Sequence, residues 1–336
     1  MDDLFTDALR KLLADQCTPQ LIRDIESGQP AAPLWQALES SGFADALLTQ
    51  ALGGAGLQLC EVFPLMELCG TYVLPVPMAE TMLARALLTD AGLTPPQGSI
   101  TFAWHAQQVD GSLVCMHVSN GRVADWVLLD QGDTSLLLPV ASARLQPAVF
   151  ALDASLTWNA RDVASAQRLV GPHDLRTLMA CICAALMSGT LMAVFNRTLQ
   201  FANERSQFGR PIGKFQAIQH QLSVMSEHTF AARMAAQIGC HCQHRQPDRL
   251  RVAVAKARTS EAALEVASLS HSIHGAIGFT HEFDLQLFTR RLHAWRLTAG
   301  SESYWHTVLG EELVDHREGL ALDLVRATSD MTYLEN

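Results

Sequence analysis

The residues best suited to chemistry lie in one stretch, Asn203-Glu204-Arg205-Ser206-Gln207-Phe208-Gly209-Arg210-Pro211-Ile212-Gly213-Lys214-Phe215-Gln216-Ala217-Ile218-Gln219-His220. It separates two long apolar helical patterns, Leu175 to Ala202 and Gln216 to about Cys242, and Gly209 and Pro211 break the period between them. The spacing predicts a tight turn that projects Arg205, Gln207 and Arg210 at one spot. A guanidinium donates two parallel hydrogen bonds from a planar fork, which suits a phosphate or a carboxylate. On residue types alone, a solvated arginine on a helical corner fits the same pattern.

Other constellations say less. Cys240-His241-Cys242-Gln243-His244 holds metal-ligand types. Neighbours on a helix point apart, and no second ligand pair stands nearby, so no metal is expected. His271 and His274 share that weakness. Gly53-Gly54-Ala55-Gly56 has the wrong spacing for a dinucleotide fingerprint and follows a helical pattern where a strand is needed, so it reads as the turn after a helix. A Gly-x-Ser-x-Gly nucleophile motif is absent.

These residues must be carried by a large globular chain. The sequence has 336 residues, 49% hydrophobic and 17% charged, which predicts a sizeable core and two or three domains. A formal net charge of −10 argues against nucleic acid as the main partner. It leaves room for an anionic small ligand held by a local arginine. Asp2 and Asp3 open the chain without a basic and apolar leader, so a cytoplasmic location is expected. Eight cysteines at uneven spacing read as buried thiols. Leu178 to Phe195 is uncharged and about long enough to span a bilayer. It contains Ser188, Gly189 and Thr190 and continues as an amphipathic helix, so the central helix of a large bundle is expected and no membrane span.

Three segments follow. Residues 1–95 carry helical spacing at Leu4–Leu13, Leu34–Leu38 and Met78–Leu88. Residues 96–165 switch to a period of two at Ile100–Trp104, Ser112–Val118, Trp126–Leu129, Ser135–Val140 and Phe150–Trp158, separated by turns such as Asp110-Gly111 and Asn120-Gly121. The third segment, residues 166–336, is helical from Pro172 onward, with a glycine turn at His274-Gly275-Ala276-Ile277-Gly278-Phe279. The expected class is α+β: an N-terminal helical domain, a middle β-barrel or sandwich module and a C-terminal four-helix bundle.

The run from Arg205 to His220, R-x-Q-F-G-[RK]-P-I-x-x-F-Q-x-I-Q-H, is similar to the signature of acyl-CoA dehydrogenases. Ala253-Val254-Ala255-Lys256-Ala257 and the His274–Glu282 stretch resemble a second family motif, A-K followed by Q-x-H-G-G-x-G-[FY]-T. Val118-Ser119-Asn120-Gly121-Arg122-Val123-Ala124-Asp125-Trp126 resembles I-T-N-G-x-x-A-x-W, and Leu74-Pro75-Val76-Pro77 through Thr81 fits the family's N-terminal domain. The resemblance implies the acyl-CoA dehydrogenase fold, with FAD held between subunits. It implies Arg205, Gln207 and Phe208 as contacts to the flavin pyrophosphate, and Phe215 beside the adenine. Ser272, Gly275 and Ala276 would form the adenosine-side turn, and the hydroxyl of Ser119 would bond to the flavin ring. Ser272 stands where the family has glutamine, a longer group. Ala276 replaces a second glycine and is expected to restrict the backbone. The family's L-T-E-P-x-x-G-S-D stretch is absent from Ile100 to Gln108.

The resemblance also implies α,β-dehydrogenation of an acyl-CoA, with electron-transfer flavoprotein as oxidant, in fatty acid or steroid side-chain catabolism. That chemistry needs a carboxylate to take the α proton. The two positions where the family places its glutamate are Ala299 and Met179 here, so the catalytic residue is unknown. Three assignments stay open. The chain is one subunit of a heteromer whose partner supplies the base. Alternatively it is a homo-oligomer using Asp174 or Glu302, or it is a non-catalytic scaffold. The strongly apolar long helices call for a dimer or tetramer in any case.

Overall fold

The computed structural model of the protein describes residues 2–242, 245–315 and 321–330. The chain forms two compact units. One comprises Met1–Leu65 with Leu74–Met179, and the other Met66–Val73 with Ala180–Asn336.

The first unit begins with helices α1 (Asp2–Gln16), α2 (Pro19–Glu26) and α3 (Ala32–Ser40). Helix α2 was not evident from apolar spacing, yet its start is encoded locally. The Thr18 hydroxyl accepts from Leu21 N at 3.2 Å and Pro19 occupies the first turn, where its missing N–H costs nothing. Helices α4 (Leu59–Thr71) and α5 (Met78–Asp90) follow. Gly53 closes a short 3-10 turn with a left-handed backbone, as a turn after a helix requires.

The β module holds eight strands in two four-stranded sheets. These are β1 (Ile100–Ala103), β2 (Gln107–Val109), β3 (Ser112–Val118), β4 (Trp126–Asp130), β5 (Thr134–Pro139), β6 (Arg144–Pro147), β7 (Ala154–Trp158) and β8 (Gln167–Val170). Helix α6 (Ala160–Ser165) lies between β7 and β8 and is capped by Asn159. One sheet runs β1-β4-β5-β8, with β1 and β4 parallel; the other runs β2-β3-β7-β6. Their inner faces share one core that includes Cys115, Val127, Leu136, Leu138, Leu156 and Trp158. The Trp158 indole N–H crosses it to the Pro139 carbonyl at 2.8 Å. The middles of β1, β4 and β5 are buried on both faces, so their sequences are continuous apolar runs more than alternations.

The second unit is a helical bundle. Its elements are α7 (Leu175–Glu204), the two-residue strands β9 (Ser206–Gln207) and β10 (Arg210–Pro211), α8 (Gln216–Cys240), α9 (Arg249–His274), α10 (Leu285–Leu297), α11 (Glu302–Asp315) and α12 (Ala321–Ser329). Helix α7 is long and apolar enough to cross a membrane, but 83% of its most apolar window is buried inside the fold. Small residues make its packing close. A Cβ on Gly189 would sit 1.9 Å from the Glu67 carbonyl oxygen, and one on Gly70 would sit 1.8 Å from that of Leu186. The Thr190 hydroxyl donates to Gly70 O at 2.6 Å across the same crossing. None of the eight cysteines is in a disulfide; Cys181 and Cys183 are buried, and Cys181 Sγ lies 3.4 Å from Cys240 Sγ.

Candidate functional site

The chemistry-bearing stretch folds as a hairpin between two long helices. Helix α7 ends at Glu204, and Arg205 N still donates to Phe201 O at 2.8 Å. Gln207 then pairs with Arg210 across a two-residue turn, Phe208 and Gly209, with φ of 52° and 80°. Positive φ at both central residues is what a tight hairpin of this hand demands. Glycine meets the demand freely. Phe208 is strained, and backbone of this kind concentrates at ligand sites. Ile212 N donates to Arg205 O at 2.8 Å and closes the hairpin's base.

The turn leaves Phe208 91% exposed, with its ring edge-on to Phe215 at 6.2 Å. Arg210 stacks over Phe215 at 4.2 Å. The Arg205 side chain has no hydrogen-bond or ion-pair partner among the described residues. An unpaired guanidinium beside open space is available for an anion.

Opposite this hairpin, α9 ends in a short turn at Gly275–Phe279. Gly275 has φ 64° and ψ −146°, a conformation essentially reserved for glycine. Ala276 does not take a positive φ, so the methyl that replaces the family's second glycine imposes no backbone penalty. This corrects the restriction expected from the sequence. Ser272 is too short to reach far, and Gln221 of α8 donates to its hydroxyl at 3.4 Å.

Hairpin and turn enclose one cavity of about 590 Å³. Arg205, Gln207, Phe208, Phe215, Ser272, Gly275 and Ala276 all line it. These are seven of the eight residues the sequence singled out. The eighth, Ser119, belongs to the other compact unit and is 3% exposed. Sequence reading missed Phe201 and Ile218 on the cavity wall. Phe201 sits one helical turn before Arg205, a spacing that placed it on the same face.

His274 also lines the cavity. Its Nδ1 lies 2.8 Å from Ser270 O, which places the neutral ring's proton there, and its ring stacks on Phe201 at 4.3 Å. Nε2 is left buried without a partner. Burial holds the imidazole pKa below its ordinary value, so the ring is neutral near pH 7. His271, lowered likewise by burial and then by His274 and His293, stacks on Phe279 and meets the Thr289 hydroxyl at 2.9 Å. Among the described residues no group of three or more metal-ligating side chains comes together. Gln243 and His244 of the Cys/His stretch lie outside the described residues.

The two positions at which the resemblance implies a catalytic carboxylate are buried. Met179 is 0% exposed and Ala299 is 1% exposed. Ala299 takes φ 59° in the loop between α10 and α11, and a buried cation clamps that loop. Lys256 Nζ donates to Arg296 O and Gly300 O, each at 2.8 Å, and to Ser260 Oγ at 3.2 Å. Burial pushes the Lys256 pKa down to about 8. Glu302 binds Arg296. Burial raises its pKa, but the hydrogen bond from Arg296 and the nearby positive charges outweigh that and hold it below the usual range. Asp174 is engaged as the cap of α7: its carboxylate accepts from Thr177 N at 2.9 Å and from the Thr177 hydroxyl at 2.5 Å. Both alternative bases therefore have structural partners.

Residues 176–313 match the family model described as acyl-CoA dehydrogenase, C-terminal domain. Acyl-CoA dehydrogenase IpdE2 of Mycolicibacterium smegmatis is 28% identical over 297 residues, covering 87% of this chain and 92% of the relative. The ChsE4-ChsE5 complex from Mycobacterium tuberculosis has a chain of similar fold, with TM-score 0.83 and 21% identity, covering 94% of this chain and 97% of that one. PigA, solved with FAD and proline, has TM-score 0.77 at 16% identity, covering 93% and 97%.

Proposed function

We propose, from its similarity to acyl-CoA dehydrogenases, that the chain is an FAD-binding subunit of a heteromeric acyl-CoA dehydrogenase. The observation that carries this reading is the convergence of seven motif residues on one cavity that has an unpaired arginine and no carboxylate in its lining. The cavity fits the cofactor's chemistry. Arg205 would hold the pyrophosphate through charge-assisted hydrogen bonds. Gln207 and Phe208 would join it at the pyrophosphate, Phe215 would flank the adenine, and His274 Nε2 is a buried acceptor without a partner among the described residues. FAD, when bound, supplies the hydride acceptor for oxidation at Cα–Cβ.

The α proton must go to a carboxylate, and Met179 and Ala299 cannot take it. A partner subunit of the same family supplies that base in this reading. The ChsE4-ChsE5 complex, which pairs two chains, is the analogy for such an assembly. Electron-transfer flavoprotein is the proposed oxidant. A bulky acyl group such as a steroid side chain is the proposed substrate class, by analogy with relatives.

The test is flavin stoichiometry and acyl-CoA oxidation, measured for the chain alone and with a second, base-containing dehydrogenase chain encoded beside it. Flavin retention with turnover only in the pair supports the reading. Robust turnover by the chain alone overturns the subunit assignment, and a flavin-free pair overturns the cofactor.

A further inference from the structure

The α7–α8 hairpin carries two arginines, and the fold treats them differently. Arg205 lines the cavity with no side-chain partner among the described residues, whereas Arg210 is not part of the cavity wall. The Arg210 guanidinium lies over the Phe215 ring, 4.2 Å from its centroid. No described carboxylate pairs with it. Glu204, the acidic residue nearest in sequence, accepts instead from Gln200 Nε2 at 2.8 Å.

Phe215, unlike Arg210, does line the cavity. It also breaks a local rule. Phe215 is the N-cap of α8 and makes no side-chain cap hydrogen bond, where serine, threonine, asparagine or aspartate would stabilise the helix. Its backbone is nonetheless fixed. The Phe215 N–H donates to Ile212 O at 3.0 Å, and its carbonyl accepts from Ile218 N and Gln219 N, each at 3.0 Å. Breaks of a local rule concentrate at functional sites, and here the residue gives up a cap to put a ring on the cavity wall.

With the backbone held, the ring is the adjustable part. Two neighbours settle its position: Arg210 over its face, and Phe208 edge-on, with centroids 6.2 Å apart and planes at 88°. A guanidinium stacks flat on an aromatic ring and is attracted by the negative charge of its face. A ring fixed beforehand loses less freedom when a planar group stacks on it, so such a brace raises affinity without touching the ligand.

We propose that Arg210 is a positioning residue that braces the Phe215 ring, and that the braced ring makes the cavity select a planar base joined to phosphates, such as an adenine nucleotide, over phosphates alone. The inference rests on the reading of this cavity as a cofactor site. It adds a division of labour between the hairpin arginines. Arg205 meets the anion, and Arg210 supports the surface on which the base stacks. Lysine at 210 would keep the charge and lose the flat stack.

The experiment titrates the full-length chain with ADP, FAD and inorganic pyrophosphate by calorimetry. Arg210→Ala should weaken ADP and FAD about threefold to fivefold, the size of one exposed cation–π contact, and change pyrophosphate by less than about twofold. Arg205→Ala should weaken all three. Arg210→Lys should recover part of the loss for ADP. In a Phe215→Leu background, Arg210→Ala should cost nothing further. Arg210 is exposed, so its variants should keep the native circular dichroism and melting temperature. Equal losses for pyrophosphate and ADP would make Arg210 a second phosphate charge and overturn the brace. Unchanged or tighter ADP binding by Arg210→Ala, or additivity with Phe215→Leu, would overturn it as well, with the cofactor reading intact. ADP binding without FAD binding would remove the cofactor reading and leave the brace to be judged on ADP. Binding of neither nucleotide would overturn both.

Discussion

Two corners of the helical unit treat charge in opposite ways. At the α7–α8 hairpin, Arg205 stands beside a cavity with no side-chain partner among the described residues, and Phe208 is pushed almost wholly into solvent. At the α10–α11 loop every strong charge is turned inward: Lys256 onto backbone carbonyls and Arg296 onto Glu302. The first corner is unfinished without a ligand, whereas the second is complete without one. Acyl-CoA dehydrogenation needs both a cofactor clamp and a proton acceptor, and under the proposed function this contrast separates binding from catalysis. In the proposed reading the first corner holds the cofactor, and the second presents the methyl of Ala299 where the resemblance implies a carboxylate.

The largest effect should come from the closed corner. Lys256→Ala removes a buried stem and leaves two carbonyls without donors, so unfolding free energy should fall by about 3–5 kcal/mol, read by denaturant titration. The same residue gives a pH signature. Its folded pKa of about 8 lies below the ordinary 10.5, so between these values the unfolded chain binds a proton that the folded chain has released. Stability from this group should rise as pH climbs from 8 to 10.5, by on the order of 3 kcal/mol, and stay flat below 8. Lys256→Met, which fills similar volume, should flatten that slope.

At the open corner, Arg205→Ala should weaken flavin binding about tenfold to a hundredfold with little change in melting temperature, measured by fluorescence titration of the apoprotein. Arg205→Lys should fall between, because an ammonium cannot donate as a planar fork. Gly275→Ala forces a side chain into a backbone conformation reserved for glycine and should cost about 1–3 kcal/mol of stability, with flavin content falling alongside. The smallest effect sharpens the contrast from the other side. Glu302→Gln should change turnover of the assembled enzyme by less than about twofold, since this account gives Glu302 no proton to move. A loss of two orders of magnitude would reopen its candidacy.

The sequence made the hairpin legible because its signals are local: Gly209 and Pro211 stop the helical period, and the motif residues sit within a dozen positions of one another. The strands β3, β4 and β5 were legible through β-rich apolar runs bounded by turn residues. Strands β2 and β6 were not, because they are exposed throughout and carry no apolar pattern. Helix α4 was hidden by Pro64 inside it. Lys256 was visible only as part of a motif. Its bonds to Arg296 and Gly300 join residues 40 and 44 positions apart, and no local pattern reports such a contact. The buried hydrogen bond from the Asn120 amide to Glu80 spans 40 positions and was equally silent. Ala276 misled in the other direction, since its place at the second glycine of the family motif suggested a restriction that the turn does not impose.

Anaerobic flavin bleaching tests the separation of binding from catalysis most directly. The chain is purified alone, loaded with FAD and mixed with an acyl-CoA, and absorbance is followed before and after adding the base-containing partner. The account predicts bound flavin that stays oxidised with substrate and bleaches only once the partner is present. Bleaching by the chain alone would show that it carries its own base and would contradict the account.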